Sequence, residues 1–211
     1  MRAVASKPPP PVGEPPDSDH HCWCKRSWKE YAYRRKPWHV RRNSSLGPGR
    51  IRNTLPSSGM GLSTVAAGKE VVRLTKEHLK RRESFAVETT LSGKNYLQMM
   101  EYARGIDRGF EVVLIYIGTE SVEINLARIA KRVLGGGHNV PEMDVRRRYL
   151  RSLQNLPAAA TIADRVLLFD NSDDLGYQPV GLLGRGPHQW FHPLPLWAAE
   201  FQTRFSQPTD G

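Results

Sequence analysis

The sequence predicts an α/β protein in which a parallel sheet is flanked by helices, and three observations support this prediction. Nearly continuous apolar runs, typical of strands covered on both faces, occur at residues 110–117 and 166–169. Amphipathic stretches lie between the apolar runs, and strands that alternate with helices at this spacing indicate βαβ units. The chain has 211 residues, 39% hydrophobic and 25% charged, which suits a globular protein with its own core.

The individual elements follow from local patterns. The predicted helices span residues 63–82, 95–108, 121–134 and 141–153, and the predicted strands span residues 84–89, 110–117 and 166–169. The first helix begins at a suitable N-cap, Ser63, and should bury the face that carries Val65, Val72 and Leu79. Towards the end of the chain, residues 177–185 and 188–192 predict a hairpin and residues 196–205 a closing helix.

The positive charge is concentrated at the start of the chain. The formal net charge is +10. Residues 1–50 hold 11 Lys/Arg and 4 Asp/Glu, a difference of +7, whereas residues 51–211 hold 20 and 17, a difference of +3. The first fifty residues also contain half of the 16 prolines and show almost no aliphatic periodicity. We therefore divide the chain into an aberrant, disordered basic segment (1–50), an α/β domain (51–172) and a C-terminal appendage of a hairpin and a helix (173–211).

Several classes of protein are excluded by this composition. No apolar run approaches the length of a membrane span, and the N-terminal residues lack the apolar core of a signal peptide. Cys22 and Cys24 are too few and too close for a disulfide framework. The segment HHCWC at 20–24 lacks a second pair of ligands downstream, so we expect no metal site there. The sequence thus indicates a soluble, cytoplasmic protein with no membrane partner.

A first candidate site follows the strand at residues 84–89, where Glu88, Thr89, Thr90 and Ser92 place a carboxylate and three hydroxyls together. Ligands of open parallel sheets bind beyond the carboxyl ends of the strands. Glu88 is therefore placed to accept a hydrogen bond from a substrate hydroxyl. The alternative is that Ser92 only caps the next helix and that Glu88 is solvated.

A second candidate site is cationic. Arg128 and Arg132 lie one helical turn apart, and three arginines at 146–148 follow the glycine-rich loop GGGHNVP at 135–141. Guanidinium groups bind phosphate oxygens in a bidentate manner and stabilise charge during phosphoryl transfer, so two such sets around a hinge suggest a lid over phosphates. The alternative is a solvated basic face. His138 stands alone in the loop, without partners for a metal.

Three segments in succession carry a resemblance to a known family. They read ESFAVETTLSG, then FEVVLIYIGTESVEINLARIAKRVLGGGHNVPEMDVRRRY, then RVLLFDNS, within residues 51–172. Their order resembles the zeta toxin family, which are P-loop kinases related in fold to small-metabolite kinases. The resemblance implies a P-loop NTPase-like parallel sheet, ATP and Mg²⁺ as cofactors, phosphoryl transfer to a nucleotide sugar such as UDP-N-acetylglucosamine, and an antitoxin protein as a possible partner.

The resemblance also assigns residues. By position, Glu88 and Thr89, with Thr90 and Ser92 beside them, match the substrate-binding strand end of the family. Its phosphate-binding arginines fall in the stretches that contain Arg128, Arg132, Arg146 and Arg147. Ser92 stands where the toxins tend to carry an arginine, so the identity of the substrate is open.

The chain lacks what such a kinase needs at its start. A P-loop kinase begins with a strand and the motif G-x-x-x-x-G-K-[ST], whose amides and lysine hold the phosphates, and an acidic residue follows as base or magnesium partner. Neither the loop nor its strand occurs in residues 1–211. No residue can therefore be assigned as catalytic, and the first, central strand of the sheet is missing or degenerate as well.

The genetic code suggests a reason. Residues 16–33 read PDSDHHCWCKRSWKEYAY, and a frame that begins one base later can encode PTLTIIAGANGAGKSTL, an apolar strand followed by a complete phosphate loop. The same shift converts NSSLGPGR at 43–50 to IPLWDPDA, which supplies the acidic motif. We therefore hypothesise that residues 17–50 are translated out of frame.

Three functional interpretations follow. The first is an ATP-dependent kinase whose chain, as written, lacks catalysis. The second is a nucleic-acid-binding protein that uses the basic, tryptophan-rich arm. We consider it the weaker one, because seven of the ten net charges lie in residues 1–50, most of which we interpret as out of frame. The third is a non-catalytic module that binds a nucleotide or a sugar without turnover.

Overall fold

The computed structural model describes residues 2–6, 45–46, 64–105 and 109–206. These residues form a mixed α/β fold, as the sequence predicts. The strands are β1 (Arg2–Ser6), β2 (Ser45–Leu46), β3 (Phe85–Glu88), β4 (Glu111–Gly118), β5 (Arg165–Asp170), β6 (Gln178–Gly184) and β7 (Gln189–Trp190). The helices are α1 (Thr64–Arg81), α2 (Lys94–Arg104), α3 (Val122–Leu134), α4 (Glu142–Ile162) and α5 (Leu196–Ser206).

The seven strands form one sheet in the order β2-β3-β1-β4-β5-β6-β7. Strands β2 and β3 are parallel, as are β4 and β5. Strand β1 lies between β3 and β4 and runs antiparallel to both, and β6 and β7 are also antiparallel to their neighbours. The prediction of a parallel sheet is therefore wrong for the sheet as a whole, which is mixed. The short connection between β6 and β7 allows an antiparallel pair and is too short for a crossover.

Within the described residues, the predicted helices and strands occur close to the predicted positions, with two differences. The predicted N-cap Ser63 lies outside the described residues. Helix α4 continues past residue 153 to Ile162 although Pro157 lies inside it. Pro157 retains its carbonyl group, which accepts a hydrogen bond of 3.1 Å from the Thr161 hydroxyl. Helix α2 ends at Arg104 instead of residue 108, with Gly105 as its C-cap.

The buried face of α1 also differs in part from the prediction. Val71, Thr75 and Leu79 are buried, whereas Val72 is only half-buried and the side chain of Val65 lies outside the described residues. Residues four apart share one side of a helix, so Val71, Thr75 and Leu79 form one buried row beside Val72. Thr75 tolerates burial because its hydroxyl donates to the Val71 carbonyl at 2.7 Å.

The main core lies on one face of the sheet. Helices α1, α2, α4 and α5 pack there through Leu79, Met100, Leu156 and Trp197 among others. A second, small cluster consists of Ala86 and Val113 with the partly buried Ile115 and Leu167, so none of the described helices contributes to it. Helix α3 has no buried residue.

The two ends of the chain join the same sheet. Strand β6 pairs with β5, and α5 contributes Trp197, Ala198 and Phe201 to the main core. Of the basic segment 1–50, the described residues are those of β1 and β2, and Cys22, Cys24 and the segment 20–24 lie outside the described residues. In the part of the chain that is described, no helix has the length and apolar character needed to cross a membrane.

Candidate functional site

Three strands end at one edge of the sheet. Strands β3 and β4 are both antiparallel to β1, and β5 is parallel to β4, so β3, β4 and β5 share one direction. Their carboxyl ends therefore meet at the same edge, where ligands of α/β proteins bind. Polar side chains follow each of them. We call this the carboxyl edge.

The loop after β3 contains the first candidate site of the sequence. Glu88 is the last residue of β3 and is partly buried. The Leu91 amide donates to the Thr89 hydroxyl at 3.1 Å, and the hydroxyl oxygens of Thr90 and Ser92 lie 2.8 Å apart. Gly93, not Ser92, is the N-cap of α2, and no side chain caps this helix. The structure thus gives Ser92 a hydroxyl partner within the loop instead of the helix-capping role that was the alternative.

The same loop is held from outside by two side chains. Tyr96 forms a hydrogen bond with the Thr89 side chain, and burial raises the pKa of this tyrosine while that hydrogen bond acts in the opposite direction. Asn155, on α4, donates from Nδ2 to the Leu91 carbonyl at 2.7 Å. Leu91 itself is fully buried and has a left-handed backbone with φ 55°. Contacts with α2 and α4 therefore hold this loop on both sides.

A denser polar network follows β4 and β5. Asp170 Oδ1 accepts hydrogen bonds from the Trp197 indole at 2.7 Å and from the Ser172 hydroxyl at 2.9 Å, and its Oδ2 accepts from the Ser172 amide at 2.9 Å. The Ser172 hydroxyl also accepts from the Glu120 amide at 2.8 Å. Each polar atom has a partner within the protein, so this network fastens the loop after β4 to the loop after β5.

Two helices are attached to the same edge. The Tyr149 hydroxyl of α4 lies 2.9 Å from the Thr119 carbonyl and 3.2 Å from the Glu120 carbonyl. Asn125 of α3 donates to the Thr119 hydroxyl at 2.8 Å. Burial raises the pKa of Tyr149, and nearby carboxylates, Glu123 first among them, act in the same direction. These contacts place α3 and α4 over the end of β4.

The four predicted arginines lie on these two helices. Arg128 of α3 donates to the carbonyls of Asn171 at 2.6 Å and Asp173 at 3.3 Å, just beyond β5. Arg132 donates to the His138 carbonyl at 2.9 Å, within the glycine-rich loop. Both guanidinium groups thus hold loops through carbonyl oxygens, and Arg128 lies at the carboxyl edge.

The other two arginines form exposed ion pairs. Arg146 of α4 contacts Glu142 in its own helix and Glu123 at the start of α3, each at 2.8 Å. Its hydrogen bond holds the pKa of the Glu123 carboxyl below the ordinary value. Arg147 contacts Asp144 at 2.6 Å. The structure therefore brings Arg146 to the junction of α3 and α4, while Arg147 bonds within α4.

The loop between α3 and α4 depends on its glycines. Gly136 has φ 81°, which favours glycine. The Gly137 amide donates to the Arg132 carbonyl at 2.9 Å, and a Cβ atom on Gly137 would lie 2.7 Å from that carbonyl oxygen. This close return of the chain is what brings His138 within reach of Arg132. His138 is exposed, and the described residues contain no group of three potential metal ligands.

Sequence reasoning missed four residues of this edge: Tyr149, Asn155, Asp170 and Trp197. Asp170 and the residues after it lie in the segment RVLLFDNS, so that motif marked their position without a role. Tyr149 and Asn155 lie within a helical pattern and carried no signal of their own. Their partners are 29 to 64 positions away in the chain, and such contacts leave no local pattern.

Comparison with known proteins adds one relative. The chain is 43% identical over 88 residues to a protein of Haemophilus influenzae that is described as an uncharacterized protein. The match covers 42% of this chain and 61% of the relative, so the chain spans about three-fifths of that protein's length. No family model matches the chain. No solved structure matches it either.

Proposed function

We propose that this chain derives from a P-loop kinase similar to the zeta toxins, which uses ATP and Mg²⁺ to phosphorylate a hydroxyl of a nucleotide sugar such as UDP-N-acetylglucosamine. We further propose that the present chain is inactive, because residues 17–50 are translated out of frame and the phosphate loop is lost. The proposal has two parts, a site that accepts the substrate and a missing site for the nucleotide. Each has its own support.

The strand position between β3 and β4 carries the proposal. Strands β3 and β4 point the same way and lie one strand apart, and β1 fills the space between them in the opposite direction. A phosphate loop lies at the carboxyl edge only if its strand runs parallel to β3 and β4. The shifted peptide PTLTIIAGANGAGKSTL supplies such an apolar strand with the loop directly after it. In this position, its loop amides and lysine would face the ends of β3, β4 and β5.

Strand β2 supports the acidic part of the proposal. It spans Ser45–Leu46 and is parallel to β3. Leu46, the last residue of β2, pairs with Val87 and therefore lies at the carboxyl edge, on the side of Glu88. In the shifted frame the next four residues are DPDA. An acidic residue immediately after β2 is thus well placed to activate a substrate hydroxyl or to bind magnesium near the phosphate loop.

The remaining parts of the site have complementary roles in this proposal. Glu88 and the hydroxyls of Thr89, Thr90 and Ser92 bind the sugar. The arginines of α3 and α4 bind the phosphates, with Arg128 at the end of β5 and Arg146 at the junction of the helices. Neither group replaces the loop amides and the lysine, because those hold the β- and γ-phosphates during transfer. The present chain should therefore consume no ATP.

The deciding experiment compares two proteins. Resequencing of the gene first shows whether the DNA between codons 16 and 51 can encode the shifted peptide, and the frame-restored protein is then made from it. ATP consumption is measured with UDP-N-acetylglucosamine and related UDP-sugars. We expect turnover by the frame-restored protein and none by the present chain. The matched control replaces the lysine of the restored phosphate loop by alanine, which should abolish turnover.

Other outcomes would contradict the proposal. DNA that cannot encode the shifted peptide would eliminate the frame hypothesis. A frame-restored protein that binds a UDP-sugar without turnover would instead be a non-catalytic module. Salt-sensitive binding of nucleic acid by the present chain, lost on deletion of residues 1–50, would favour the nucleic-acid-binding interpretation.

A further inference from the structure

Helix α4 carries a row of three polar side chains, Tyr149, Ser152 and Asn155, spaced three residues apart. Each forms a hydrogen bond with the carboxyl-edge side of the sheet. Tyr149 contacts the carbonyls after β4, the Ser152 hydroxyl lies 3.2 Å from the Tyr116 hydroxyl in β4, and Asn155 contacts Leu91 after β3. Residues at this spacing share one helix face. The row therefore joins the ends of two strands that are separated by β1.

The end of the row at Asn155 meets an unusual backbone. Leu91 has φ 55°, a conformation that is costly for a residue with a branched, bulky side chain, and its side chain is fully buried. Such a conformation persists only where the surroundings stabilise it. Here the Leu91 amide donates to Thr89 two positions away, and the Leu91 carbonyl accepts from Asn155, 64 positions away.

We infer that Asn155 is a positioning residue for the acceptor loop: through the Leu91 carbonyl it fixes the loop at 89–92, and with it the hydroxyl-rich surface that binds the sugar, relative to the arginine-bearing helix α4. This inference rests on the proposed function for the identity of the bound sugar. The structural part, that Asn155 holds the loop in its left-handed turn, stands on the contacts alone.

The chemistry of the loop explains why its position matters. Phosphoryl transfer needs the attacking hydroxyl close to and in line with the phosphate, and a displacement of about 1 Å costs up to about 10²-fold in rate. Helix α4 carries Arg146, and Asn155 lies on the same helix. One rigid element thus connects a phosphate-binding group with the acceptor loop, so the Asn155 bond sets the distance between the two substrates.

The first test uses the present chain and needs no activity. Asn155→Asp retains the size of the side chain but removes the amide donor, and Asn155→Ala removes both. We expect the amides of residues 89–93 to exchange hydrogen about tenfold faster in either variant, which corresponds to the loss of about one hydrogen bond. The matched control is Gln154→Ala, at the exposed neighbouring position of α4. Exchange in the rest of α4 should not change. Unaltered exchange at 89–93 in both Asn155 variants would overturn the inference.

The second test uses the frame-restored protein. Asn155→Asp should raise KM for UDP-N-acetylglucosamine by about tenfold, the effect of about one lost hydrogen bond, while KM for ATP stays within about twofold. A purely structural role would lower the amount of folded enzyme and leave both KM values unchanged, and that result would overturn the positioning role. If the frame-restored protein with Asn155 intact shows no turnover, the proposed function fails, whereas the exchange experiment still decides whether Asn155 holds the loop.

Discussion

Gly118, the last residue of β4, lies directly against the indole ring of Trp197 in α5. A Cβ atom built on Gly118 would lie 2.3 Å from Cε2 of that ring, far inside the contact distance of two carbon atoms. Trp197 is 3% exposed and also donates to Asp170 at the end of β5. The C-terminal helix is therefore fitted to the carboxyl edge at a place where only glycine leaves enough room.

The first prediction follows from this contact. Gly118→Ala should lower the free energy of unfolding by about 1–3 kcal/mol, because the large buried ring of Trp197 must move to admit a methyl group. Chemical denaturation of the present chain measures the change. Gly186→Ala is the matched control, since a Cβ atom there meets no atom within 4 Å. Equal stability of the two variants would contradict the tight fit of α5.

The second prediction concerns the hydrogen bond between Trp197 and Asp170. Trp197→Phe retains an aromatic ring but removes the indole donor, so it should lower the free energy of unfolding by about 1.5–3 kcal/mol, the range for a hydrogen bond to a charged group. Trp190→Phe is the control. Trp190 is only partly buried, and a phenylalanine ring at this position can keep part of the packing against Phe201. A smaller effect at Trp197 than at Trp190 would contradict the proposed importance of the bond.

The third prediction compares two glycines in different settings. Gly68 lies inside α1, and a Cβ atom there meets nothing within 4 Å, so Gly68→Ala should raise the free energy of unfolding by about 0.5–1 kcal/mol through helix propensity. Gly137→Ala should lower the stability, because the new Cβ would lie 2.7 Å from the Arg132 carbonyl oxygen. Thermal denaturation of both variants should therefore shift the melting temperature in opposite directions. Shifts of the same sign would contradict the difference between these two backbone environments.

The fourth prediction is a pH dependence. Burial raises the pKa of Tyr116 to about 12, although the hydrogen bond with the Ser152 hydroxyl lowers this pKa. A phenol whose pKa is higher in the folded state binds more protons when folded, so its contribution is fully present below pH ~10 and is lost between pH ~10 and ~12. The free energy of unfolding should fall by about 2–3 kcal/mol in this window from Tyr116 alone.

Tyr116→Phe tests this assignment. The variant should retain a shallower decline above pH ~10, because Tyr96 and Tyr149 also have a raised pKa. Denaturation at a series of pH values gives the slope for both proteins. An identical slope in the variant and the unaltered chain would show that Tyr116 titrates as an exposed phenol does.

The fifth prediction separates catalysis from stability at Arg146. Its ion pairs with Glu123 and Glu142 are exposed, and exposed pairs contribute little to folding, so Arg146→Gln should leave the melting temperature nearly unchanged. In the frame-restored protein, the proposed phosphate-binding role of Arg146 predicts that the same change lowers turnover by about 10²-fold.

Arg73→Gln is the matched control for Arg146. Arg73 lies on α1 and also contacts two glutamates, Glu70 at 2.6 Å and Glu77, on its own helix. The two variants thus remove similar ion pairs, and only the one at the junction of α3 and α4 should lose turnover. Equal activity of both variants would remove Arg146 from the proposed phosphate site.

The sequence predicted the local elements well because their signals are local. The run at 110–117 is apolar throughout, and β4 forms there; Gly135 follows a periodic helix, and α3 ends before it. The end of α4 was missed: the prediction stops at residue 153, whereas the helix continues through Pro157 to Ile162 and buries Leu156, Ala159 and Ala160. The sequence predicted that Val72 lies on the buried face of α1. In the structure Val71 and Thr75 are buried instead, because packing against the rest of the core decides which side of the helix is covered.

By itself, the sequence determined where most of the described helices and strands form and which hydroxyls and arginines are available, because each of these is written in neighbouring residues. Only the tertiary structure decided that β1 lies reversed between β3 and β4, and that Asn155 holds Leu91 and Trp197 fills the space beside Gly118. These relations join residues that are far apart in the chain. They arise when one element packs on another, and no residue pattern within a single segment predicts that packing.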